Sequence, residues 1–232
     1  MVHQLNHRKA TASGFSLIEL LTVLAIMVVL LSATGLALAP FSRALDLSSS
    51  TQQIQGALDL ARQKALSSNK YVQVRFYAKQ SEPACYSAIG LFVSESPYYA
   101  TSATSSPADF ATWINQNHFS ALAPIQYLSP SLDIPAAAGV SKLLADLTID
   151  TDFQRNGTDT IRGVAYNWVA FYYLPNGSAD FQTFSGTSYP PDNAFFSLVI
   201  RSDYAASNPA LPKNYSQFFL PPSTGRPIVL RP

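Results

Sequence analysis

The sequence predicts an α+β protein, one long N-terminal helix followed by an antiparallel β-sheet domain. Three observations carry that expectation. From Phe15 to Ala39 the only formal charge is Glu19, and beyond Pro40 an apolar stripe of Leu47, Thr51, Ile54, Leu58, Ala61 and Ala65 continues at alternating spacings of four and three. At Tyr71 the period changes from 3.6 to 2, with Val72, Val74 and Phe76 alternating with Gln73, Arg75 and Tyr77 as in a half-buried strand. Further on, "GVAYNWVAFYYLPNGSADFQTF" joins a β-branched and aromatic run ending at Tyr173 to a second run from Ala179 to Phe184 through Pro175-Asn176-Gly177, a hairpin with its tip at Asn176-Gly177.

Composition narrows the class. Charged residues make up 12% of the chain, about half the ~25% usual in soluble globular proteins. Polar surface must come from Ser, Thr, Asn, Gln and Tyr, which suits an extracytoplasmic protein. A formal net charge of +1 gives no electrostatic reason to expect nucleic acid as a partner. Cys85 is the only cysteine, so no intrachain disulfide and no thiolate metal site can form.

The N-terminal apolar run is long enough, at about 37 Å as a helix, to cross a membrane with some tilt. His3, His7, Arg8 and Lys9 precede it, whereas Arg43 and Asp46 after it cancel, which places the N-terminus in the cytoplasm and the rest outside. Glu19 needs an explanation. A charge inside a membrane helix costs roughly 2.5–3.5 kcal/mol on insertion scales. Three readings compete. A cleaved secretory signal would use the A-x-A site Ala37-Leu38-Ala39, but Pro40 then follows the scissile bond directly. A plain signal anchor leaves Glu19 without a purpose.

The third reading is a resemblance. "GFSLIELLTVLAIMVVLL" resembles the type IV prepilin signal: a short basic leader, Gly14 before the cut, Phe15 as the new first residue, and Glu19 as the fifth mature residue of an apolar helix. The resemblance implies that prepilin peptidase cuts between Gly14 and Phe15 and N-methylates Phe15. It further implies that Glu19 serves assembly with other pilin or pseudopilin subunits through the N-terminal helix, from the inner membrane. The domains expected on this reading are a leader at 1–14, a transmembrane helix at 15–39, its continuation at 40–68 and a β-rich periplasmic or extracellular domain at 70–232, with a loop insert at about 96–140.

Pro40 removes one helical N–H, so a bend is expected between Gly35 and Pro40 before the helix resumes. "SSN" at Ser67 to Asn69 ends it. Besides the strand after Tyr71 and the hairpin, "AIGLFVS" (Ala88 to Ser94), "DLTID" (Asp146 to Asp150), "AFFSLVIRS" and "GRPIVLR" read as strands. The interval from Ser96 to Val140 lacks periodicity and reads as loops with at most a short helix around Phe110 to Gln116. The order "LARQKALSSNKYVQVRF", a Gly turn at Gly177 and "TGR" at Thr224-Gly225-Arg226 is similar to the H-type minor pseudopilins of type II secretion and related minor type IV pilins. The 96–140 insert and the Pro-rich tail from Pro209 depart from a compact member of that group.

Little in the chain points to catalysis. His3 and His7 lie in the leader and His118 stands alone, so no histidine-based site has a second ligand. Asp146, Asp150, Asp152 and Asp159 gather around Asn156-Gly157, read as a turn; of these Asp150, Asp152 and Asp159 are the metal-ligand candidates. Their spacing fits no EF-hand loop, and neither metal nor cofactor is expected. Arg226 and Arg231 form no basic cluster for phosphate contacts. The expected function is a minor pilin or pseudopilin, a structural subunit and not an enzyme. The alternative is a signal-anchored extracytoplasmic binding protein, an adaptor for DNA or a secreted substrate.

Overall fold

The computed structural model describes residues 15–96, 118–149, 156–181, 194–204 and 210–232, with backbone alone for 33–40, 148 and 149. The chain divides into two units, residues 1–42 and 43–232. Helix α1, Leu17–Ser68, begins in the first and ends in the second. The helix runs through Gly35 and Pro40 as one 52-residue element, so the expected continuation beyond Pro40 is present without a break in the helix. Asn69, at φ 54°, ends the helix in the left-handed conformation that Asn tolerates at such a position.

In the second unit the expected stripe is the buried face. Ile54, Leu58, Ala61 and Ala65 are fully buried and Leu47 packs against them. Burying a side chain such as Ile54 or Leu58 contributes about 1.5–3 kcal/mol, so this face is enough to hold the helix on the sheet. The strands are β1 (Val72–Lys79), β2 (Cys85–Ser94), β3 (Phe119–Ala121), β4 (Gln126–Tyr127), β5 (Leu132–Pro135), β6 (Asn156–Ile161), β7 (Val164–Tyr173), β8 (Ala179–Asp180), β9 (Phe195–Ile200), β10 (Tyr215–Phe219) and β11 (Ile228–Leu230). Helix α2 spans Lys142–Ile149. All pairings are antiparallel, in the order β11-β10-β9-β5-β2-β1-β7-β6. The short strands β3, β4 and β5 share one side of β2, and β8 follows β6 along β7.

One sheet face forms the main core. Val72, Val74 and Phe76 of β1, Phe171 and Tyr173 of β7, Phe196 and Phe218 join the α1 residues and Leu143, Leu144 and Leu147 of α2. Phe196 and Phe218 stack at 4.8 Å. The other face of β1 was expected to meet solvent and does not. Tyr77, Ala88, Tyr166, Trp168 and Ala170 build a second cluster there, with Phe92 and Ile125 over it, and Gln73 is buried too. The Arg75 guanidinium lies 4.2 Å from the rings of both Phe92 and Trp168. Its Nη1 reaches Asp159 at 3.1 Å and its Nε donates to Gln73 at 2.7 Å. A cation can sit inside an aromatic layer because the ring faces and the carboxylate replace its water.

Three local readings are corrected. "DLTID" is helical as far as Ile149, part of α2, because Leu143, Leu144 and Leu147 share one face at helical spacing. Asn156-Gly157 opens strand β6 and is not a turn: a Cβ at Gly157 would come within 2.6 Å of Trp168, so the glycine admits the indole. The turn is Arg162-Gly163, both at positive φ, joining Ile161 directly to Val164. Residues 119–135, expected as loop, supply three short strands, and the tail after Pro209 supplies β10. The helix expected at Phe110 to Gln116 and the strand beyond Phe181 lie outside the described residues.

Candidate functional site: the exposed helix and its anchorage

At the start of α1 the sequence Ser16-Leu17-Ile18-Glu19 makes a reciprocal cap. The Ser16 N–H donates to Glu19 Oε2 at 3.1 Å, and the Glu19 N–H donates to Ser16 Oγ at 3.3 Å. Two N–H groups at the helix start thereby find acceptors, and the carboxylate sits where the helix dipole favours negative charge. The sequence signal of this cap is the S-x-x-E spacing itself, Ser16 to Glu19, just ahead of the apolar run. Phe15, just before, is 82% exposed. Gly14 lies outside the described residues.

From Leu17 to Leu31 the large apolar side chains point outward on every side of the helix, from Leu17 and Ile18 to Leu30 and Leu31. A helix apolar all round needs lipid or other protein around it. Among the described residues no helix is long and apolar enough to cross a membrane; the described side chains of this run end at Ser32.

Beyond Arg43, polar side chains bolt α1 to the sheet. Asp46 accepts from the hydroxyls of Ser129 and Ser131 at 2.9 and 2.8 Å, just ahead of β5. Thr51 meets Ser216 of β10 at 2.8 Å in the buried interface. Arg62 shares its Nε–H between the carbonyls of Thr224, at 2.8 Å, and Gly177, at 3.2 Å. Three short strings that stood far apart in the sequence, Ala61-Arg62, the Asn176-Gly177 tip and Thr224-Gly225-Arg226, thus meet at one point. Gly177 (φ 80°) closes the β7–β8 hairpin by donating to Leu174 at 2.8 Å, with Leu66 packed over it. Gly225 (φ 60°) donates to Pro221 at 2.8 Å, and a Cβ there would collide with the Gly177 carbonyl. The adjoining Tyr173 hydroxyl is fully buried, so burial, reinforced by Asp59, raises its pKa and keeps it a neutral phenol.

The other predicted residues are dispersed. Asp159 accepts from Arg75 and from the Tyr77 hydroxyl, both at 3.1 Å, while Asp150 and Asp152 lie outside the described residues. No cluster of three metal-binding side chains occurs among the described residues. His118 is exposed before β3. Cys85 lines a cavity of about 330 Å³ with Glu82, Asp133, Arg201 and Tyr204. Burial pushes its thiol pKa up, the opposite of what a nucleophile needs. Arg201 is held there by Asp133 at 2.8 Å and Glu82 at 3.3 Å.

No curated protein and no solved structure matches the chain. Residues 9–35 match the family described as the prokaryotic N-terminal methylation motif, the segment that spans Gly14, Phe15, the Ser16–Glu19 cap and the exposed apolar turns. That motif points to a structural subunit rather than an enzyme, and to processing by prepilin peptidase and assembly with other pilins. The chain thus carries a prepilin-type N-terminal methylation motif and, in that segment, is type IV pilin-like.

Proposed function

We propose that this chain is a minor pilin or pseudopilin, a structural subunit of a type II secretion pseudopilus or a type IV pilus, of the H-type group its downstream motifs resemble. Prepilin peptidase removes residues 1–14 and N-methylates Phe15. Residues 15–39 hold the mature subunit in the inner membrane with its start at the cytoplasmic side, and the β domain lies outside. In the filament the N-terminal helix packs against those of neighbouring subunits, where Glu19 of one chain meets the Phe15 amine of the next. Such a pair offsets two burial costs at once and fixes the axial register.

The observation that carries this reading is the apolar helix exposed on every side, opening on Phe15 and Glu19 within the matched motif. Mass spectrometry of the protein purified from membranes tests it. The expected mature chain begins at N-methyl-Phe15. An intact Met1, or a start near Pro40, overturns the proposal and favours a signal anchor or a secreted protein respectively.

A further inference from the structure

Among the described residues β11 ends the sheet, and no strand pairs with its outer backbone. Which groups face outward follows from the register. The Leu220 N–H donates to Ala194 at 2.8 Å, so alternate residues of β10, Ser216 and Phe218, turn their backbone groups toward β9. Gln217 and Phe219 therefore turn theirs toward β11, where they pair with Leu230 and Ile228. What remains outward is the N–H and C=O of Val229, the C=O of Pro227 and the N–H of Arg231. Among the described residues none of these meets another strand, and Val229 makes no hydrogen bond outside them.

Side chains around this edge differ from those of a protected one. The opposite edge strand, β6, carries Asp159, the kind of charge that discourages strand addition. Every residue of β11 is apolar. Val229 packs against the main core, while Ile228 and Leu230 are 46% and 51% exposed beside the half-buried Phe219 and Gln217. Exposed Arg226 and Arg231 bracket the strand, and neither forms an ion pair among the described residues.

Helix α1 runs alongside. Arg231 contacts Ser48 at 3.5 Å and Thr224 contacts Arg62 at 2.8 Å, so the strand lies antiparallel to the helix. The two lengths are compatible: fourteen helical residues rise about 21 Å, and seven residues of chain reach at most about 23 Å. The helix stripe facing the strand is Ser48, Gln52, Gln55, Asp59 and Arg62, all polar.

We propose that β11 accepts an extended strand from a second polypeptide, with the pattern apolar, polar, apolar between acidic flanks. The central residue pairs with Val229 through two backbone hydrogen bonds and turns its polar side chain toward the α1 stripe. Its apolar neighbours extend the patch of Phe219, Ile228 and Leu230, and the acidic flanks meet Arg226 and Arg231. Pro227 and Pro232 limit the paired stretch to a few residues.

The test uses the full chain in detergent micelles and fluorescein-labelled Glu-Val-Thr-Val-Glu amide, followed by anisotropy. A control peptide with proline in place of threonine loses the N–H opposite Val229 but keeps the charge and apolar side chains. The threonine peptide should bind at least about tenfold more tightly than the proline control. Leu230→Lys should abolish that difference, and Arg226→Glu with Arg231→Glu should shift preference to a lysine-flanked peptide, Lys-Val-Thr-Val-Lys amide. All three positions are exposed, and unchanged circular dichroism verifies that the variants fold. Equal binding of the proline control, or no binding at about 1 mM, overturns the proposal. So does tighter binding of a single-stranded oligonucleotide that survives Leu230→Lys, which would assign the two arginines to phosphate instead.

Discussion

Glu19 has two possible tasks, and Glu19→Gln separates them. In the isolated subunit its carboxylate caps the Ser16 N–H at 3.1 Å while Ser16 caps Glu19 at 3.3 Å. Both bonds are exposed, so the cap stabilises the helix start by about 1 kcal/mol, and glutamine can accept the same N–H. A carboxylate that meets the Phe15 amine of a neighbour offsets a much larger cost, roughly 2.5–3.5 kcal/mol for each charge placed in lipid. Capping alone therefore predicts that Glu19→Ala lowers assembly about fivefold, since 1.4 kcal/mol is tenfold, and that Glu19→Gln assembles normally. Charge pairing predicts that both variants lose about 100-fold or more, equivalent to about 2.8 kcal/mol. The assay is the fraction of subunit recovered in sheared filaments or pseudopili, with cleavage after Gly14 measured in the same samples. Both variants should be cleaved. Normal assembly of Glu19→Gln would refute the pairing and leave the cap as the whole role of this residue.

Two further outcomes concern the β domain. Arg62→Ala removes one charged N–H shared by two carbonyls; allowing for partial exposure it should cost about 1–2 kcal/mol in urea unfolding, and Gly225→Ala about 2–4 kcal/mol from positive φ and collision with the Gly177 carbonyl. Because both act on the same junction, the double variant should fall short of the sum; strict additivity would show that Arg62 does not hold the Thr224 turn. The second outcome is pH dependence. Burial raises the Asp133 pKa against the opposing pull of Arg201, so the folded state binds this proton more readily than the unfolded chain. Its ionisation therefore reduces stability as pH rises from its ordinary value of 3.8 through the raised one. Arg201→Gln should destabilise by about 1–3 kcal/mol at pH 7, discounted because the Arg201 side chain is 42% exposed, and by less at acid pH. Adding Asp133→Asn should recover most of the loss; an equal deficit at both pH values would contradict the linkage.

The sequence alone determined whatever depends on local periodicity and on chain order. The stripe from Leu47 to Ala65 marked the buried face of α1, because every fourth or third residue returns to one side of a helix. The alternation after Tyr71, the Asn176-Gly177 tip and the apolar run opening on Phe15 were legible for the same reason. Tertiary structure decided the rest. Whether the second face of β1 meets water depends on Trp168 and Phe92, which come from β7 and β2 and close over Arg75. Asn156-Gly157 has the composition of a turn, but the indole of Trp168 needs the space a glycine leaves, and that demand outweighs local preference. Asp146 to Ile149 alternates like a strand yet is helical, since burial of Leu143, Leu144 and Leu147 in one core fixes the period of the segment. The Arg62 junction joins positions more than a hundred residues apart, and no spacing along a chain encodes which distant carbonyls one guanidinium will meet.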